Sequence, residues 1–184
     1  LIFLFDTKLH HKKEIELAFP TQPILAEIPE IKTVDNKIFD DPRNRSTIAE
    51  ASRILASNTK YLLGNENKND LGRIILTTST IKGEGKTFVA LNLSLALASL
   101  NKRVLLIGAD LRNPQVHNYI NVDKSSDGLT NYLFDNTFNW KAAVISHFKQ
   151  VPSHDVLIGG ALAPNPVQLL ANGNLETLLK DAKN

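Results

Sequence analysis

An α/β fold with a mostly parallel sheet is predicted by three features of these 184 residues: strand-length apolar runs, a glycine-rich loop after the first run, and a strongly apolar helix after the loop. Runs that are apolar without alternation read as strands covered on both faces, as parallel strands are. The first is Arg73-Ile74-Ile75-Leu76-Thr77, the second Arg103-Val104-Leu105-Leu106-Ile107-Gly108-Ala109-Asp110, and the third Asp155-Val156-Leu157-Ile158-Gly159-Gly160. The loop and the apolar stretch 88–100 lie between the first two, so that unit reads as a right-handed strand–helix–strand crossover.

The other elements rest on local signals. Leu1-Ile2-Phe3-Leu4-Phe5 is apolar but far shorter than the roughly 20 residues that span a bilayer. It reads either as the end of a membrane helix or as a short strand or helix turn on the core. His10-His11-Lys12-Lys13 suits the cytoplasmic side of a membrane or a solvated surface. Residues 14–19 are an amphipathic helix that Pro20 ends, and Pro23-Ile24-Leu25-Ala26-Glu27-Ile28-Pro29 reads as a strand bounded by prolines. Residues 30–44 are a polar linker. Ser46 or Thr47 caps a helix running to about Leu63, with Ile48, Ala51, Leu55 and Leu62 on one side, and residues 64–71 form a loop. After the second run, residues 128–134 give one or two helical turns and residues 140–148 a helix in which Trp140 packs. Pro164-Asn165-Pro166 starts a last helix that residues 167–183 carry on, because proline fits the first turn.

The loop Thr78-Ser79-Thr80-Ile81-Lys82-Gly83-Glu84-Gly85-Lys86-Thr87 carries the chemistry. Gly83 and Gly85 let the backbone approach an anion and aim N–H groups at it, and the helix after them adds partial positive charge. Lys86 suits the β- and γ-phosphates of ATP or GTP, and the Thr87 hydroxyl suits Mg²⁺. The standard Gly-x-x-x-x-Gly-Lys-Ser/Thr pattern puts its first glycine at Thr80, so the loop matches the second half with Gly83 added. Asp110 ends the second strand at the carboxyl edge of the sheet, where α/β proteins bind ligands, or else caps the turn before Pro114. Arg112 either contacts phosphate or pairs with Asp110.

Composition narrows the classes. The net charge of +2, from 21 basic and 19 acidic residues, gives no field of the kind nucleic acid requires. With no cysteine, disulfides and thiolate metal sites are excluded, which fits a reducing compartment. The five histidines lack metal-ligand spacing. The absence of methionine predicts a segment of a longer protein. At 42% hydrophobic, the chain supports one sizeable core.

The loop, the acidic strand end and the Pro-Asn-Pro helix start together resemble the cytoplasmic kinase domain of bacterial tyrosine kinases (BY-kinases) of capsular and exopolysaccharide biosynthesis. The resemblance covers nearly the whole chain. Asp6-Thr7-Lys8 and residues 23–29 look like the juxtamembrane lead-in, Glu50-Ala51-Ser52-Arg53 like the start of a Glu-x-x-Arg-x-x-Arg oligomerisation helix, residues 83–87 like the Walker A loop, 105–114 like the second Walker box, and 160–170 like the Pro-Asn-Pro segment. It implies a P-loop three-layer sandwich like that of the ParA and MinD ATPases, with a Walker B strand expected beyond Asn184. Residues 45–184 would be the nucleotide-binding kinase domain and 1–44 a juxtamembrane arm and linker.

By the same resemblance, Lys82, Gly83, Glu84, Gly85, Lys86, Thr87, Phe88 and Arg112 bind nucleotide, Lys86 and Asp110 are catalytic, and Thr87 and Asp110 serve Mg²⁺. ATP and Mg²⁺ are the cofactors. Glu50 and Arg53 would contact neighbouring subunits of a ring-like homo-oligomer or instead pair with each other one turn apart on the helix, in a domain attached to an inner-membrane polysaccharide co-polymerase segment and located in the cytoplasm. The implied function is a protein-tyrosine (auto)kinase that regulates polymer assembly and export. Two departures stand out: the family's Asp-x-Asp has Gly108 at its first position, and the last arginine of the helix motif is Ala56. They favour the alternative of a nucleotide-sensing module without phosphoryl transfer. A ParA or MinD-like ATPase is a weaker alternative, because Ile81 stands where those proteins carry a signature lysine. Tyr61, Tyr119 and Tyr132 are dispersed, as packing or surface groups are.

Overall fold

The computed structural model describes residues 11–30, 45–64 and 72–183; residues 1–10, with the apolar start and the Asp6-Thr7-Lys8 lead-in, and most of the predicted linker and 64–71 loop lie outside them. In chain order come α1 (Lys12–Ala18), α2 (Thr47–Leu63), α3 (Lys86–Ser99), β1 (Val104–Ile107), α4 (Val116–Ile120), α5 (Leu129–Phe134), β2 (His154–Leu157), α6 (Pro166–Ala171) and α7 (Asn174–Ala182). Among the described residues the sheet is two-stranded and parallel, with Val104 opposite His154 and Ile107 opposite Leu157. The chain is therefore α/β, as predicted, around a small parallel sheet. No helix among the described residues is long and apolar enough to cross a membrane.

Helix α3 organises the molecule. All eight residues from Leu91 to Ala98 are buried, because α2 covers one side and β1 and β2 the other. Each fully buried leucine of this kind contributes about 1.5–3 kcal/mol. The polar residues in the run are satisfied within the helix: Ser94 Oγ donates to the Leu91 carbonyl at 2.7 Å and Asn92 Nδ2 to that of Phe88 at 2.8 Å. Ser46 caps α2 by accepting from the Ala49 N–H at 3.2 Å, and Ile48, Ala51 and Leu55 are buried as expected. Leu62 is not; the last turn of α2 lies in solvent and leaves it 54% exposed. Ala56 is fully buried in the α2–α3 contact, which leaves no room there for an arginine.

Four other expectations are corrected. Residues 73–77 form no strand, since among the described residues no neighbouring strand completes a ladder with them; there β1 pairs with β2 alone. The crossover therefore begins on a segment outside the sheet. Residues 23–29 are irregular too. Two prolines remove ladder donors there, the Leu25 carbonyl accepts from Asn58 Nδ2 at 2.6 Å, and Leu25 and Ile28 pack on the α2–α3 core. The helix expected over 140–148 is two 3₁₀ turns, Trp140–Ala143 and Phe148–Gln150. Between them Ile145 exchanges backbone bonds with Val156 at 2.8 and 2.9 Å, and His147 lies in the left-handed region at φ 55°. The last helix is broken into α6 and α7 at Gly173, whose φ of 87° ends one helix and opens the next.

β1 is also shorter than the run 103–110, although the Gly108 N–H still donates to the Leu157 carbonyl at 2.8 Å. α4 had no counterpart in the sequence reading. Trp140 does pack: it is buried, and its Nε1–H reaches Asp181 Oδ2 at 3.2 Å. Tyr132 is buried in the same cluster, whereas Tyr61 is 85% exposed.

Candidate nucleotide site

The phosphate loop folds as its glycines require. Gly83 and Gly85 take φ values of 95° and 90°, and a Cβ on either would meet no atom within 4 Å. The backbone there is open to an incoming group. Gly85 caps α3, and the first bond of that helix runs from the Val89 N–H to the Gly85 carbonyl at 2.9 Å. The N–H groups of Lys86, Thr87 and Phe88 thus have no carbonyl partner inside the helix, the arrangement that receives anions elsewhere.

Lys86 points from this first turn to the end of β1. Its Nζ lies 3.0 Å from Asp110 Oδ2, with both side chains 31% exposed. Asp110 also accepts from the Asn113 N–H at 3.0 Å and from the Arg112 backbone N–H. Partial burial by itself would raise the Asp110 pKa; the Asn113 bond, the Lys86 ammonium and the Arg112 N–H outweigh it and hold the carboxyl below its ordinary value. Asp110 therefore both caps the turn and faces the loop. Arg112 reaches it through the main chain, and its residue is exposed.

The structure thus brings Lys86 and Asp110 together and leaves Lys82, Gly83 and Glu84 exposed on the loop, with Thr87 and Phe88 half-buried on the first turn of α3. Glu50 and Arg53 are elsewhere, joined on α2 by a 2.6 Å ion pair one turn apart. Two features of the site escaped the sequence reading. In the first, Glu84 Oε2 accepts from the Thr80 N–H at 2.8 Å and the Ile81 N–H at 3.1 Å; an acidic residue inside an anion-binding loop was the available signal. The second is Gly159. A Cβ on Gly108 would fall 2.9 Å from the Gly159 backbone nitrogen, so a side chain at 108 requires the ends of β1 and β2 to part. No spacing rule reveals that contact.

The donor set fits a nucleotide phosphate: an open two-glycine cradle, first-turn amides with no partner in the helix, and a lysine beside them. It fits Mg²⁺ at the minimum, since that ion takes one or two carboxylates plus phosphate oxygens and waters, and here Asp110 and the Thr87 hydroxyl are the protein's oxygens.

No family model matches the chain. Tyrosine-protein kinase YwqD of Bacillus subtilis is 37% identical over 108 residues, 59% of this chain and 44% of the relative. Tyrosine-protein kinase CpsD of Streptococcus agalactiae is 31% identical over 154 residues, 84% of this chain and 62% of the relative. The chain thus spans less than two thirds of either. The solved kinase domain of Escherichia coli tyrosine kinase ETK shares the fold, with a TM-score of 0.73 and 24% identity over 92% of this chain and 67% of that one. Sequence relatives and fold agree: the chain is a homologue of the bacterial tyrosine-protein kinases, built on the fold of their kinase domain.

Proposed function

We propose that the chain binds ATP with Mg²⁺ through residues 82–88 and Asp110, as the tyrosine (auto)kinase domain of a protein that controls capsular or exopolysaccharide polymerisation and export. The observation that carries this reading is the Lys86 ammonium, 3.0 Å from Asp110 at the mouth of the open glycine loop. A bound polyphosphate competes with Asp110 for Lys86. With Lys86 engaged by phosphate, the Asp110 carboxylate and the Thr87 hydroxyl would be the groups to hold Mg²⁺. Arg112, exposed on the same edge, adds positive charge. Mg-ATP would supply the phosphoryl group and neutralise charge on it, since phosphoryl transfer is mainly positioning and electrostatics.

The same proposal makes residues 45–184 the nucleotide-binding domain and 1–44 an arm toward an inner membrane, with the domain in the cytoplasm. Like subunits would meet in a ring around Glu50 and Arg53, and nucleic acid is not a partner. Calorimetric titration with ATP and Mg²⁺ tests the core of it. Lys86→Ala should lose at least about 2 kcal/mol of binding, the value of charge-assisted bonds to phosphate. Undiminished binding by Lys86→Ala would remove the site.

Gly108 favours a second reading, a nucleotide-sensing module that binds ATP without transferring phosphate. Its close approach to Gly159 fills the place of the carboxylate that the family resemblance puts there. The two readings separate in one assay: the chain extended by a tyrosine-rich tail and incubated with Mg-ATP gains phosphotyrosine under the first and binds without gaining it under the second.

A further inference from the structure

Resting on this nucleotide-site reading, we propose that Glu84 is a positioning residue of the phosphate loop, whose carboxylate closes the loop's first half and so aims the remaining amides at phosphate. A carboxylate between two open glycines, where a polyanion would lie, would repel that ligand if it faced outward. It faces inward instead. Glu84 Oε2 holds the Thr80 and Ile81 N–H groups together at 2.8 and 3.1 Å, and Ser79 Oγ donates to the Ile81 carbonyl at 3.1 Å.

Thr80 is where the standard pattern has its first glycine. With a threonine there at an ordinary φ, the opening of this loop draws its constraint from a side chain. Glu84 is it, since Gly83 at φ 95° and Gly85 at φ 90° turn the chain so that the side chain between them folds back across the loop. The amides thereby divide into two sets. Those of Thr80 and Ile81 are consumed by the protein's own carboxylate, and those of Lys86, Thr87 and Phe88 are left for the ligand. The two N–H dipoles aimed at the Glu84 carboxylate offset part of its repulsion of phosphate.

The test compares ADP binding by the whole chain in Glu84→Ala, Glu84→Gln and Lys86→Ala, with thermal unfolding measured alongside. Glu84→Ala should raise the Kd for ADP about tenfold, equivalent to one lost charge-assisted bond of about 1.4 kcal/mol. Because the loop is exposed, its Tm should stay within about 2 °C of the parent. Glu84→Gln keeps an oxygen that accepts the same two bonds, so its Kd should stay within about threefold. Tighter or unchanged ADP binding by Glu84→Ala overturns the clamp, and so does equal weakening by both Glu84 variants, which would make charge rather than acceptor geometry the cause. Lys86→Ala separates the levels: lost binding there with none lost in Glu84→Ala sinks the clamp alone, while unchanged binding in Lys86→Ala sinks the phosphate site and the clamp with it.

Discussion

Two apolar runs lead into the site, residues 73–77 into the phosphate loop and β1 toward Asp110, and their surroundings differ sharply. β1 is hydrogen-bonded along its length to β2, lies against α3 and has half-buried side chains throughout. In residues 73–77, Ile74, Ile75 and Leu76 are 53%, 41% and 83% exposed. The two segments have nearly the same composition, yet one is a strand and the other is not. Strand character belongs to a pair, and apolar content tells only what a segment would bury if a neighbour were present. The phosphate loop consequently takes its shape from the packed helix α3 on its carboxyl side and from the ties of Glu84 and Ser79, rather than from a paired strand before it.

The comparison breaks first on core packing. Leu157 of β2 is fully buried among Leu111, Leu129 and Leu133, so Leu157→Ala should cost about 2–5 kcal/mol in urea unfolding. A loss below about 1 kcal/mol would mean that the β1–β2 side is as loosely held as residues 73–77.

The start of the same strand offers an effect of similar or smaller size. His154 is fully buried, with Nε2 2.8 Å from Ser94 Oγ on α3 and Nδ1 lacking a hydrogen-bond partner. Because the Ser94 hydroxyl donates to Leu91, His154 Nε2–H donates to Ser94, and Nδ1 remains a bare acceptor. Burial drives the imidazole pKa down from 6.5 to about 4, against a small opposing pull from Asp155. The unfolded chain thus binds a proton near pH 6.5 that the folded chain refuses until about pH 4. Stability should fall as pH drops through that window, by roughly 3 kcal/mol at most, and level off below it. His154→Gln should flatten the acid slope between those limits; an unaltered slope would place its origin in carboxylates instead.

The same contrast explains how much was legible. Ser46, the glycine loop and the all-round apolar face of α3 act through local chemistry, so capping, anion geometry and a buried helix could be read directly. β2 was legible because its run is both apolar and bounded. The break at Gly173 had a visible cause, a glycine inside a helical run, that the apolar pattern outweighed. The Ile145–Val156 bridge, the buried Ala56 and the contact of Gly108 with Gly159 depend on what lies across space, and no local pattern carries them. At the site, Lys86 and Asp110 were legible by type and place. Glu84 is legible only by its place in the loop; the inward turn of its carboxylate depends on two glycine dihedrals.

The smallest expected effect is the sharpest test of the contrast. Leu76→Ser removes an isobutyl group that is 83% exposed, so almost no apolar area leaves the folded interior. Its cost should fall within about 0.5 kcal/mol, the range of surface substitutions, against the several expected for the equally large Leu157. Solubility should improve, because an exposed apolar segment outside any sheet is a template for pairing between chains. Equilibrium unfolding of Leu76→Ser and Leu157→Ala side by side decides it, with light scattering at rising concentration as the second readout. If Leu76→Ser costs more than about 1.5 kcal/mol, that side chain is covered in solution and the two segments are alike after all.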